Sequence, residues 1–370
     1  MRIKIRALPG EPVEDELEDS ASSQEKTIEH WYEGSMGQKT EEVTERPAVR
    51  IAVCVCTFRR PYGLTSLLEG LRDQRFERTP PPIMLILVAD NEGSAQAREI
   101  CATFHHEHGL PVRYLVEERR GISFARNRCL ENVPADFDFV AMIDDDERPE
   151  PDWLEELLLA QLATGADVVQ GRVYPAFPDD TQSWIRRGGF FGYPRPPSPF
   201  RRRAWTDGQD LDSSATNNVL IHVTAINALA LRFDERMALT GGEDAVFSRT
   251  LKAAGYRIVY GAGARVCEQV PRTRANLAYL CRRDFRDGNN RLWVKRLVKP
   301  SGNVRPWRIH LPLAVRALTQ TLSALVWLLT SILRGRTDKA LLAHGLMQIA
   351  NAAGTLVACV GLRYKHYRCA

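Results

Sequence analysis

The densest chemistry in this chain is Asp144-Asp145-Asp146-Glu147, set directly behind the apolar run 137–143 and ahead of Pro149-Glu150-Pro151-Asp152-Trp153. A run of strand length carrying Phe, Val and Ile reads as a buried strand. The two prolines forbid its continuation, and Asp152 is placed to cap the next helix. The acids then stand on the turn after a strand. Carboxylates crowded this closely repel one another unless a cation lies between them. Hard oxygen donors suit Mg²⁺ or Mn²⁺, and Mg²⁺ is usually held by one or two carboxylates together with substrate phosphates. The competing reading is a solvated acidic turn. A second pair, Glu243-Asp244, follows Gly241-Gly242 and opens the helical pattern 245–252. An acid there can take a proton from a substrate, or it can simply complement the positive end of the helix.

These acids need a frame. Residues 50–56 form a continuous apolar run of the kind found in parallel strands covered on both sides. Apolar residues at helical spacing follow over 64–71, and 83–89 is a second buried strand, which together make a βαβ unit. Asp90-Asn91 ends that strand, 95–106 is helical, 112–116 is a third strand, and 121–130 is a helix with Gly121 in its entering turn. The strand before the aspartates is the fourth. This alternation predicts an α/β fold, a Rossmann-like, mostly parallel sheet with helices on both faces and a ligand site at its carboxyl edge. Beyond the acids come a helix at 153–162 and a strand at 166–171. Residues 174–212 then lose periodicity and are rich in Trp, Phe, Pro, Gly and Arg, as in a binding loop or lid. Order resumes at 217–221, and the helix after Asp244 ends at Gly255.

With 370 residues, 44% apolar and 26% charged, the chain can bury a real core, and a net charge of +4 gives no reason to expect a nucleic-acid partner. Cys54 and Cys56 alternate within a strand, but no second pair completes a metal site, so the eight cysteines read as reduced thiols of a cytosolic enzyme. The first residues lack the apolar core of a secretory signal. Residues 1–48 are acidic and poor in apolar side chains, which predicts a disordered extension ahead of a 49–290 domain and a basic, apolar region at 291–370.

Thr57 behind the first strand, Asp90 at the end of the second, 121–127, Asp144-x-Asp146 and the distant Glu243-Asp244 occur in an order that resembles the inverting nucleotide-sugar glycosyltransferases of family 2. These have the GT-A fold, and the resemblance covers about 50–290. Within the family, 54–61, 121–127 and 143–147 are most similar to bacterial exopolysaccharide glucosyltransferases. The resemblance implies transfer of a hexose from a nucleotide-diphosphate sugar, UDP-glucose first among them, to a lipid-linked oligosaccharide or other glycan in exopolysaccharide or cell-surface synthesis. Carried over by position, Asp90 meets the base, Thr57 and Arg59 line the nucleotide pocket, and Arg126 lies near the donor. Asp144 and Asp146 hold ribose and a divalent metal, Mg²⁺ or Mn²⁺, with Asp145 among the nucleotide-binding residues. Asp244 is the base and Glu243 the fallback. Many relatives place a metal-binding His after the last strand. Here 265–271 reads Arg-Val-Cys-Glu-Gln-Val-Pro, so Glu268 becomes the third metal contact, against the alternative of a plain surface glutamate. The arginines of 282–289 are candidates for gripping the diphosphate, or belong to an ordinary basic helix.

Residues 317–333 and 341–362 are each free of formal charge over about the length of a bilayer span, and basic clusters at 291–299 and 363–368 flank them. Lys and Arg gather on the cytoplasmic side, so a hairpin through or lying in the membrane would leave the catalytic part on the cytoplasmic face of the inner membrane, near a lipid-linked acceptor. The alternative is a pair of soluble helices forming a dimer seam. Two rival functions remain open from sequence. A nucleotidyltransferase would show a glycine-rich basic loop after its first strand, which 57–61 is not. A non-catalytic, membrane-tethered sugar-nucleotide binder differs from an enzyme only in lacking metal-dependent donor turnover.

Overall fold

Eight strands form one sheet in the order β3-β2-β1-β4-β7-β6-β8-β5 in this computed structural model, which describes residues 48–194, 205–298, 307–333 and 339–365. The expected extension at 1–48, except its last residue, and the arginines 201–203 lie outside the described residues. The first half of the sheet is the parallel one read from sequence. β1 (Arg50–Thr57), β2 (Ile83–Asp90), β3 (Val112–Val116) and β4 (Phe139–Asp144) are connected through α1 (Pro61–Arg72), α2 (Ala95–His108) and α3 (Ile122–Leu130). β1 pairs parallel with both β2 and β4, so the chain reverses its direction of progress across the sheet at β1. Crevices form at such a switch point. The register sets Thr57 beside Asp90 and Cys56 beside Asp144, which brings three sequence-distant motifs to one edge.

The second half departs from the mostly parallel expectation. β7 (Val219–His222) runs antiparallel to β4 and to β6 (Val168–Ala176), while β8 (Ile258–Gln269) runs parallel to β6. A three-residue strand, β5 (Glu147–Pro149), closes the edge antiparallel to β8. The prolines were read as ending strand structure, yet Pro149 sits within β5. An edge position tolerates its missing N–H. Pairing of Glu147 with Glu268, together with the Gln269 N–H donated to the Asp146 carbonyl at 2.9 Å, places the acidic turn against the end of β8.

Helices cover both faces. α1 buries Leu64, Leu67, Leu68 and Leu71, and α4 (Trp153–Thr164) buries Trp153, Leu154, Leu157 and Leu158, all against Val53, Val55 and Ile86. On the other face Ala125 and Cys129 of α3 and Phe247 and Leu251 of α7 (Glu243–Ala253) pack on Val140, Met142, Val219 and Ile221. Each fully buried aliphatic side chain contributes about 1.5–3 kcal/mol relative to exposure. Asp152 occupies the N-cap position of α4 as expected, but its φ of −99° and ψ of 6° turn the side chain away and no capping hydrogen bond forms. Between β6 and α7 lie two short helices, α5 (Ser183–Arg187) and α6 (Val223–Ala228). The seven described cysteines are all free thiols.

Three longer helices follow: α8 (Leu277–Val298), α9 (Trp307–Leu333) and α10 (Lys339–Cys359). The boundary expected at 290/291 falls inside α8. α8 and α10 touch backbone to backbone. A Cβ on Gly288 would lie 1.9 Å from the Asn351 carbonyl oxygen, and one on Gly354 would lie 2.0 Å from that of Phe285, so only glycine permits the approach. Asn351 Nδ2 donates to the Asp284 carbonyl at 3.0 Å and Thr355 Oγ1 to that of Gly288 at 3.2 Å. Segments 309–326 of α9 and 339–359 of α10 are long and apolar enough to cross a membrane by length and composition. α9 exposes Leu311, Val315, Leu318, Leu322, Leu325, Leu329 and Ile332 along one face.

Candidate active site

The three successive aspartates divide among three neighbouring cavities. Asp145 lines a pocket of about 220 Å³ with Thr57, Phe58, Asn91, Arg120 and Gly121. Asp146 lines a second, of about 420 Å³, with Arg59, Arg60, Glu147 and Arg274. Asp144 faces a larger cleft of about 540 Å³ whose walls also hold Arg126, Glu243, Asp244 and Glu268. Of the first acidic cluster, Asp144 therefore shares a cavity with Glu243 and Asp244, while Asp145 and Asp146 line the two beside it. Arg283 and Arg286 of α8 line it too, whereas Arg282 is not among its lining residues.

Each acid is tied by a different element. Thr57 Oγ1, at the end of β1, donates to Asp145 Oδ2 at 2.9 Å, and Arg60, at the N-cap of α1, donates to Asp145 Oδ1 at 2.7 Å and lies 3.0 Å from Asp146 Oδ2. Glu147 accepts from the Asp144 N–H at 3.1 Å and from Asn217 Nδ2 at 3.1 Å. From β8 and the turn after it, Arg274 Nη1 lies 3.0 Å from Asp146 Oδ2 and 3.6 Å from Glu268 Oε1. Arg126 of α3 joins the two acid clusters, pairing through Nη1 with Glu243 and through Nη2 at 3.4 Å with Asp144 Oδ1. Arg126 and Glu243 are only 8% and 5% exposed, and Glu243 Oε2 is buried without a hydrogen-bond partner.

Burial raises most of these carboxyl groups. Burial, opposed by Arg60, pushes Asp145 up to about 6. Burial together with Asp146 pushes Glu268 up to about 7, and burial lifts Glu147 well above the carboxylate range with Asp144 and Asp146 adding repulsion. Glu243 is raised by burial and by Asp244 although Arg126 works against both. Asp144 is raised by burial against the pull of Arg126, but its side chain keeps 38% exposure, which lets water moderate the shift. Such a set of hard oxygens fits a divalent cation in chemistry. It is not a ready-made cage, however, because among the described residues no three His, Cys, Asp or Glu converge as ligands. The positive group standing between Asp146 and Glu268 is Arg274.

Asp244 is set by backbone geometry. Gly241 and Gly242 both adopt left-handed conformations, with φ of 77° and 88°, and a Cβ on Gly242 would come within 3.2 Å of Met237 Cε, so the turn into α7 requires glycine. Asp244 then stands in the first turn of α7, where the helix dipole favours a carboxylate. Its Oδ1 accepts from the Ala245 N–H at 2.7 Å, and among the described residues it makes no ion pair. Glu243, by contrast, is committed to Arg126.

Two expected nucleotide contacts look different in place. Asp90 is 1% exposed, and both its oxygens are used, Oδ1 by the Glu92 N–H at 2.9 Å and Oδ2 by the Ser94 N–H at 2.7 Å and Tyr114 Oη at 2.8 Å. It shapes the loop after β2 instead of lining the pocket. Arg59 is mostly exposed and binds Glu92 at 2.6 Å, lining the Asp146 cavity and not the Thr57 pocket. The pocket wall next to Thr57 is supplied by Arg120, stacked 3.6 Å over the Phe58 ring, and by Asn91, whose Oδ1 accepts the Gly121 N–H at 2.8 Å. Sequence reasoning passed over Arg60 and Arg274, and gave Glu147 no role beyond its place in the acidic run. Arg60 had a signal in the basic pair ahead of Pro61. Arg274, more than a hundred residues from its partner Asp146, had none.

The family model described as glycosyl transferase family 2 matches residues 52–225, and that described as glycosyl transferase family group 2 matches 139–357. The succinoglycan biosynthesis protein ExoM of Rhizobium meliloti (strain 1021) is 34% identical over 266 residues, 71% of this chain and 80% of that protein. The glucosyl-dolichyl phosphate glucuronosyltransferase of Haloferax volcanii is 26% identical over 250 residues, 65% of this chain and 75% of that one. Among solved structures, the mannosyltransferase PcManGT from Pyrobaculum calidifontis in complex with GDP-Man and Mn²⁺ superposes with a TM-score of 0.56 at 17% identity, covering 92% of this chain and 96% of that one.

Proposed function

This chain belongs to glycosyltransferase family 2, and from that premise we propose that it moves a hexose, with inversion, from a nucleotide-diphosphate sugar to a glycan acceptor with the help of a divalent cation. Family membership makes it a glycosyltransferase of GT-A fold and removes the nucleotidyltransferase alternative. The observation that carries the finer reading is the one cleft lined by Asp144, Glu268, Glu243 and Asp244.

In this reading the nucleotide enters the pocket beside Thr57, Phe58, Asn91 and Arg120, with Asp145 at its floor and Asp90 holding its loop. Asp144, Asp146 and Glu268 would hold the cation, Mg²⁺ or Mn²⁺. When bound, that ion draws charge from the departing diphosphate. Arg283 and Arg286 line the same cleft and offer forked donors that match phosphate oxygens. Asp244 accepts the proton of the attacking hydroxyl, and attack opposite the leaving group inverts the anomeric centre without a covalent intermediate. Arg126 keeps Glu243 paired beside it, which leaves Asp244 as the single base. UDP-glucose is the first donor to test, and the name of the succinoglycan relative supports a lipid-linked or other exopolysaccharide acceptor. The apolar lengths of α9 and α10 support attachment to a membrane, its inner face in this reading, and Tyr174 with residues 186–194, which line a further cavity of about 760 Å³, would bear on the acceptor. The test is a screen of nucleotide sugars with the purified full chain, reading nucleoside-diphosphate release with Mn²⁺ or Mg²⁺ and again with EDTA. Release that persists under chelation removes the cation from the reading, and no release with any donor and acceptor removes the donor assignment.

A further inference from the structure

Asp146 Oδ2 carries two guanidinium contacts, Arg60 Nη1 and Arg274 Nη1, each at 3.0 Å. The two arginines are held very differently. Arg60 also grips Asp145 at 2.7 Å, and its backbone is fixed at the N-cap of α1, where its carbonyl accepts the Leu64 N–H at 3.0 Å. Arg274 rises from the turn between β8 and α8. It keeps 25% exposure, and among the described residues its ionic partners are Asp146 and Glu268. Its Nη1 is within 3.6 Å of carboxylate oxygens from both acids, which the Gln269 N–H, donated to the Asp146 carbonyl at 2.9 Å, helps to bring together. A cation bound to those two acids needs the space that this nitrogen fills, and two positive groups cannot share it.

We propose that Arg274 is an exchangeable counter-ion. It neutralises the Asp146–Glu268 pair while no donor is bound, and it is displaced when cation and nucleoside diphosphate arrive together, turning to the phosphate oxygens. This rests on the donor and cation reading given above and adds a residue that links the two ligands. It also gives a physical reason for ordered loading: the displaced guanidinium is left without an anionic partner unless phosphates accompany the metal. Arg60, fixed to Asp145, stays in place throughout.

The test separates the two roles by opposite signs. Mn²⁺ binding to the full chain is measured by electron paramagnetic resonance, with Arg274→Gln and Arg274→Lys beside the parent, and UDP binding is then measured at saturating Mn²⁺. Arg274→Gln should bind Mn²⁺ alone roughly fivefold more tightly, the worth of one partly exposed ion pair. It should bind UDP in the presence of Mn²⁺ about tenfold more weakly, the lower end for a charge-assisted hydrogen bond. Arg274→Lys should fall between on both measures. A purely structural arginine predicts both affinities falling together, and that result, or an unchanged affinity for Mn²⁺ alone, overturns the proposal. If the parent binds no nucleoside diphosphate with Mn²⁺ at all, then the donor reading fails first and takes this proposal with it.

Discussion

Replacing Arg126 by Met tests how the two acid clusters are held together. Methionine keeps an apolar stem against Phe233, over whose ring the guanidinium lies at 5.6 Å, but it leaves Glu243 with no cation beneath the surface. Breaking a buried pair from one side costs about 3–5 kcal/mol at neutral pH. Asp144 contributes little to that loss, since its exposed side chain can turn to water. Glu243 can escape only by taking a proton. Its value is already raised by burial, so the sign is fixed: stability falls as pH climbs above the unfolded carboxyl value near 4.3, at about 1.36 kcal/mol per unit while the folded group stays protonated. Between pH 5.5 and 7.5 that amounts to at most ~2.7 kcal/mol. Thermal unfolding of the full chain should therefore show Arg126→Met down by about 6–10 °C at pH 7.5 and clearly less at pH 5.5. Adding Glu243→Gln should restore most of the loss at the higher pH. Equal losses at both pH values, or no restoration by the second substitution, would refute the claim that an orphaned carboxylate is the cause.

Other outcomes follow from single contacts. Asp244→Asn should lower turnover about 10²- to 10⁴-fold while the dissociation constant for UDP with Mn²⁺ stays near the parent's, and unchanged turnover excludes Asp244 as the base. Glu155 accepts the backbone N–H groups of Glu77, Arg78 and Thr79 at 2.9, 2.5 and 2.8 Å, and although burial pushes it up, these donors pull it below the usual range. Its stabilisation is thus present at neutral pH and lost as pH falls through the folded value. Glu155→Gln should cost about 1.5–3 kcal/mol at pH 7, a cost that holds down to the ordinary carboxylate value and shrinks only as the pH drops below it, in urea titrations; a cost unchanged into strong acid would contradict the assignment. Gly288→Val must part α8 from α10, so a loss of several degrees in the unfolding midpoint and faster proteolysis after residue 333 are expected; parent-like resistance would contradict the close approach.

The parallel half of the sheet was legible because its strands are unbroken apolar runs separated by helical spacing, and the register that brings Thr57, Asp90 and Asp144 to one edge follows from that order. β5 was not, since Pro149 reads as a break until the neighbouring β8 makes it an edge. The antiparallel turn of the second half was equally hidden: Val219–His222 is a short apolar strand whose direction nothing local encodes. Site residues divide the same way. Asp144 to Glu147 and Asp244 stand at element ends that pattern alone locates. The arginines that answer Asp145 and Asp146 depend on tertiary contacts between segments 85 or more residues apart, and the bonds that occupy Asp90, though they come from Glu92, Ser94 and Tyr114 close by, depend on how the loop after β2 folds back on β3. Glu155 lies within the helical pattern 153–162, which gives no sign that its carboxylate holds the loop after α1, some 77 residues away, through three backbone N–H groups.

α8 presents Tyr279, Arg283, Arg286 and Asn290 to the catalytic cleft and, through Gly288, meets α10 with no side chain between the two backbones. Such a joint has no slack. Whatever grips the last helix also grips one wall of the reaction chamber, so a truncation before residue 339, designed to yield a convenient soluble enzyme, would remove the splint from that wall and leave bare the glycine groove it fills.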